Sequence, residues 1–144
     1  MRYRITTTAV MVALVVGAAA AQTRKPAARN TIAHEITITA ESIYTGTMDL
    51  AIAGGVVSGN MLLKTPTEIT GKVAGTAKAG VLGLEFPYQM TERKCEGTVK
   101  MTITLPPKPG PATGTMEAVG CGRDETRKLT GKVDLKPIPA AKAK

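Results

Sequence analysis

The chain has no tryptophan, one histidine, two cysteines and few aromatic residues of any kind. Each scarcity removes a class of function. With His34 alone, no Cys/His zinc set can be assembled. Cys95 and Cys121 do not form a CxxC unit, so the usual dithiol redox motif is missing. Ser42 and Ser58 are candidate nucleophiles only with His34 as base, and no G-x-S-x-G elbow presents either serine. Single-stranded nucleic acids are held largely by stacking on aromatic side chains. Beyond residue 21 only Tyr44, Phe86 and Tyr88 are aromatic, so the positive charge is not expected to serve nucleic acid. Asp124-Glu125 is an acidic pair without the run of oxygen ligands that a calcium loop supplies. No cofactor motif is present and no catalytic role is expected.

Long apolar runs are scarce too. The longest apolar run, residues 9–21, is shorter than the roughly 20 residues a membrane-spanning helix needs. It comes after Arg2 and Arg4 and ends in Ala19-Ala20-Ala21, the order of a basic, an apolar and a small-residue region in a secretory signal peptide. Cleavage before Gln22 is expected, and a retained anchor is the other reading. The remaining chain has about 120 residues, enough for one domain. Export puts the chain in a periplasmic or extracellular setting, where a lone cysteine pair is read as a disulfide, Cys95 to Cys121.

The formal net charge is +8, from 19 basic and 11 acidic residues. Much of the excess lies in two segments rich in Pro, Ala and Lys or Arg, residues 22–31 and 137–144, which have no hydrophobic period and are expected to be solvated tails. They suit an anionic envelope component as a partner. The folded domain is expected over 32–136, with no transmembrane span.

In that domain the hydrophobic period is two. Ile36 and Ile38 alternate with Thr37 and Thr39, Met48 and Leu50 with Asp49 and Ala51, Val99, Met101 and Ile103 with Lys100 and Thr102, and Val133 and Leu135 with Lys132 and Asp134. These are half-buried strands with one wet face. Gly54-Gly55 marks a two-residue hairpin that sets Ala53 opposite Val56 and Met48 opposite Met61. A turn near Ala77-Lys78 would set Ile69 opposite Phe86. A glycine sits two residues before a Met or Val at Gly46, Gly59, Gly71, Gly97, Gly114 and Gly131, so each shares the inward face, as expected where strands coil tightly. Eight strands result, near 32–40, 46–53, 56–64, 68–75, 80–88, 97–105, 114–120 and 129–136. An all-β antiparallel up-and-down meander of this number can close as a barrel; a two-layer β-sandwich is the alternative. The arrangement is similar in architecture to lipocalins, avidins and small periplasmic inhibitor barrels, but the chain carries none of their motifs.

The inward face and the loops each offer a candidate site. Met48, Met61, Phe86, Tyr88, Met101 and Met116 fall on the inward face and would line an adaptable apolar pocket. The methionines lie on separate strands with no His or Cys beside them, so they read as filler or lining, not as a copper(I) set. Arg93, Lys94, Arg123, Arg127 and Lys128 lie in two loops that the disulfide would bring together as a basic rim. The expectation is an exported, non-catalytic binding protein, for an apolar small molecule inside or a macromolecule at the rim, with a purely structural envelope role as the competing reading.

Overall fold

The computed structural model describes residues 31–139; the expected signal segment 1–21, residues 22–30 and residues 140–144 lie outside the described residues. Eight antiparallel strands succeed one another: β1 (Thr31–Thr39), β2 (Ile43–Ala53), β3 (Val56–Thr65), β4 (Ile69–Lys78), β5 (Val81–Met90), β6 (Cys95–Thr104), β7 (Ala112–Gly120) and β8 (Leu129–Pro137). Each pairs with its neighbours in sequence, and β8 returns to β1 with Ile36 opposite Leu135 and Ile38 opposite Val133. The sheet is therefore a closed barrel without free edges, and closure rules out the sandwich. No helix among the described residues is long and apolar enough to cross a membrane.

The alternation decides what the barrel encloses. Ile36, Met48, Val57, Leu82, Phe86, Met101, Ile103, Val133 and Leu135 point inward and are almost completely buried. Lys72, Glu85, Lys100, Glu117, Lys132 and Asp134 point outward and are exposed. No charged or polar residue is buried among the described residues. Burial of each large apolar side chain contributes about 1.5–3 kcal/mol, so the interior is the main source of stability.

Turn chemistry sets the register. Gly54 and Gly55 both have positive φ, and β2 and β3 pair with Ala53 opposite Val56 and Met48 opposite Met61. The β4–β5 turn differs from the sequence expectation. It lies at Ala79-Gly80 rather than Ala77-Lys78, and Ile69 faces Met90 rather than Phe86. A tight two-residue turn of this kind needs positive φ at both central positions, and Gly80 meets that need where Lys78 does not. The register moves by an even number of residues, so Ile69 and Phe86 both stay inside. The β4–β5 ladder is interrupted opposite Pro87, which has no N–H to donate.

The inward glycines have two distinct uses. At Gly59 and Gly114 the neighbouring strand crosses so close that an added Cβ would run into backbone. At Gly114 it would lie 2.8 Å from the Cα of Ile103 and 2.9 Å from the carbonyl carbon of Thr102. Such approach is what coils the strands around a narrow core. At Gly71 the neighbour is instead a ring: Phe86 covers the glycine, with a ring carbon 2.8 Å from the Cβ position. The rings of Phe86 and Tyr88 thus occupy space that glycines leave open, a cross-strand pairing that also pins register.

Candidate functional site: the mouth of the barrel

In an up-and-down barrel alternate loops gather at the same end. The β1–β2, β3–β4, β5–β6 and β7–β8 connections share one end, and this end is hollow. A cavity of about 380 Å³ opens between these loops and reaches down into the barrel. Its inner wall is apolar: Ile38, Met61, Leu63, Ile69, Tyr88, Val99, Met101, Met116 and Ala118. Its entrance carries Glu41, Ser42, Tyr44, Thr67, Glu92, Arg93 and Arg123.

Of the pocket residues expected from sequence, Met61, Tyr88, Met101 and Met116 stand on the cavity wall. Met48 and Phe86 do not line it. Met48 is wholly buried, and Phe86 lies over Gly71, so both belong to the packed core beneath. Ile38, Tyr44, Leu63 and Ile69 share the inward parity and line the cavity as well; alternation alone carried that signal. Glu41 and Thr67 lie in turns, where no period points to them.

The disulfide organises one side of the mouth. Cys95 opens β6 and Cys121 comes directly after β7, and their Cα atoms are 5.2 Å apart. Strict alternation would turn Cys121 outward. It turns back because Gly120, Cys121 and Gly122 all have positive φ and form a tight turn, closed by the Gly120 N–H donating to the Arg123 carbonyl at 2.7 Å. The Cys121 N–H also donates to the Glu96 carbonyl at 3.2 Å, tying the turn to β6.

This turn delivers Arg123 to the entrance. Its guanidinium donates to both carboxylate oxygens of Glu41 on the β1–β2 turn, at 2.6 and 3.2 Å. The pair links the first and last loops of this end. The hydrogen bond and charge of Arg123 hold the Glu41 carboxyl below its ordinary range, and Glu41 raises Arg123 in turn. Deeper in, burial pushes the Tyr88 hydroxyl above the usual phenol range, with nearby Arg123 opposing the shift. Thr67 lines the cavity, and its hydroxyl is turned away from open space and has no hydrogen-bond partner among the described residues.

Of the five basic residues expected as a rim, two line the cavity, one is paired outside it and two are exposed in the same loops. Arg93 and Arg123 line the cavity entrance. Lys128 points instead to Glu117 at 2.9 Å, and that hydrogen bond raises its pKa. Lys94 sits exposed in the β5–β6 turn with positive φ, and Arg127 is exposed in the β7–β8 loop. Asp124 in the same loop accepts from the Thr126 N–H and hydroxyl, which lowers its pKa. His34 contacts the Ile32 carbonyl through Nδ1 at 3.0 Å and lies toward the opposite end of β1 from Ser42, so the two do not meet at the mouth.

No family model, curated protein or solved structure matches this chain. The cavity has an apolar floor, two tyrosines and an entrance whose Glu41–Arg123 ion pair is internally satisfied. That arrangement suits the enclosure of a molecule.

Proposed function

We propose that this chain is an exported, non-catalytic binding protein that holds an apolar small molecule in one mouth of its barrel. The observation that carries the reading is the cavity of about 380 Å³ in a barrel whose other half is closely filled. Small-molecule sites have volumes of about 300–1,000 Å³ and are mostly apolar with a few placed polar groups. Four methionines line the cavity, Met61, Met90, Met101 and Met116, and their flexible side chains can adjust to an occupant.

Export is supported by the signal-like order of residues 1–21 and by the Cys95–Cys121 disulfide, which oxidising compartments favour. A non-catalytic role is supported by Glu41, the entrance carboxylate paired with Arg123. A general acid needs a raised pKa, and Glu41 is shifted the other way. The basic-rim reading has less support, because two of its cations, Arg123 and Lys128, are already paired with carboxylates.

Native mass spectrometry of the oxidised protein from its own host tests the reading. A retained small molecule, lost when Met101→Trp fills the cavity, is the expected result. A clean apo mass, together with no uptake of added apolar probes, would point to the structural envelope role instead.

A further inference from the structure

We infer that the end of the barrel opposite the mouth docks on an anionic phospholipid surface and leaves the mouth open to the surrounding solution. Charge is segregated along the barrel axis. Beyond residue 21 the eight strands carry six basic and six acidic residues, and the four connections at the mouth carry five of each. The whole basic excess therefore belongs to the other end. Residues 22–30 lead into Thr31 at that end and contain Arg24, Lys25 and Arg29. Residues 138–144 follow β8 there and contain Lys142 and Lys144, and Lys108 lies in the β6–β7 connection. No Asp or Glu occurs in these two chain ends or in the three connections of this end.

The same end exposes apolar side chains. Five of the six exposed large hydrophobic residues among the described residues lie there: Ile32, Ile52, Val56, Val81 and Ile138. Four of them belong to adjacent strands. Ile138 follows β8, and its N–H donates to the Ala33 carbonyl of β1 at 2.8 Å; Ile32 is on β1, Ile52 is on β2 and Val56 opens β3. Ile32 and Ile52 keep the inward parity of Ile36 and Met48 but stand near the end of the ladder, where no further layer covers them. Exposed apolar side chains beside a group of cations suit an anionic bilayer, because the first enter the headgroup boundary while the second meet the phosphates. A soluble polyanion would use the cations alone and leave the isoleucines in water. Strands of 9 to 11 residues hold the two ends roughly 25 Å apart once tilt is allowed for, two to three Debye lengths at 0.1 M salt, so the balanced mouth does not share the attraction.

The test is co-sedimentation of the oxidised chain, from residue 22 onward, with vesicles of phosphatidylcholine alone or with about one-third phosphatidylglycerol. Binding to the anionic vesicles is expected to be about tenfold or more tighter than to phosphatidylcholine alone. Arg24→Gln with Lys25→Gln should weaken the anionic binding by roughly tenfold or more, at about fivefold per charge. Lys94→Gln with Arg127→Gln makes the same change in net charge at the mouth and should weaken it by about twofold at most. Ile52→Ser with Val56→Ser, both at exposed positions, should weaken it by about tenfold with an unchanged circular dichroism spectrum. Absence of binding to anionic vesicles overturns the inference. Equal losses from the two charge variants overturn it as well, since net charge rather than one face would then act. Unchanged binding by the serine variant would reassign this end to a soluble polyanion such as an acidic polysaccharide, and overturns the bilayer as its partner. The cavity reading stands or falls separately, on retention of a small molecule.

Discussion

Gly114→Ala is the sharpest probe of how this barrel is built. Gly114 faces Ile103 across the β6–β7 ladder. An alanine Cβ there would lie 2.8 Å from the Ile103 Cα and 2.9 Å from the Thr102 carbonyl carbon, and would collide with the Thr102 carbonyl oxygen. These are backbone atoms in the middle of a ladder, so relief requires one strand to move away from the other. Overpacking that forces such shifts costs about 1–3 kcal/mol. Reduced freedom of the unfolded chain returns about 0.4–1 kcal/mol. The net loss is then on the order of 1–2 kcal/mol, or a fall in Tm of roughly 4–16 °C for a domain of about 100 residues. Gly83→Ala is the matched control. Its Cβ would meet only the Thr76 hydroxyl, at 3.8 Å, and its φ is not positive. That change should be neutral or slightly stabilising. Thermal unfolding followed by circular dichroism, with the disulfide intact, reads both. Equal shifts in the same direction would refute close backbone approach as the reason for the inward glycines.

Core burial, the disulfide and the entrance ion pair can each be tested separately. Met48→Asp puts a carboxylate where the side chain is wholly buried, and should prevent folding or lose several kcal/mol, whereas Asp49→Lys on the opposite face should change urea stability by about 0.5 kcal/mol or less. Reducing Cys95–Cys121 opens a loop of sequence separation 26, which the chain-entropy model values at about 3.5 kcal/mol. Denaturation with and without reductant should show a loss of that order, and unchanged stability would assign the bond a local role at the mouth only. Glu41 has a folded pKa below its unfolded value, so its contribution is present above the ordinary carboxylate range and is lost as pH falls through the folded value. The stability gap between wild type and Glu41→Gln should therefore be present at pH 7 and close under acid; a gap that persists at acid pH would mean that the ion pair is not its source.

Period-two alternation was enough to establish the number of strands and their faces, because a side chain that alternates between core and water leaves its pattern in the residue types. Gly54-Gly55 determined its hairpin for a local reason: few residues adopt two successive positive φ angles. The β4–β5 turn escaped the same logic because Ala79 takes positive φ beside Gly80, a choice made by the ladder on either side and not by alanine's own preference. The glycine rhythm marked inward positions, but it did not separate those that face backbone from those that face a ring; Gly114 and Gly71 look alike in sequence and differ only once the neighbouring strand is in place. The division of the interior into a packed half and a hollow half was decided by tertiary structure alone. Met48 and Met61 are equally apolar and directly opposed, yet Met48 is sealed in the core and Met61 borders the cavity. Arg123 and Glu41 lie 82 residues apart, and only closure of β8 onto β1 brings their loops to the same mouth. Local pattern records which face a residue takes; the space left at one end of a barrel depends on how every strand crosses its neighbours, and no single segment encodes it.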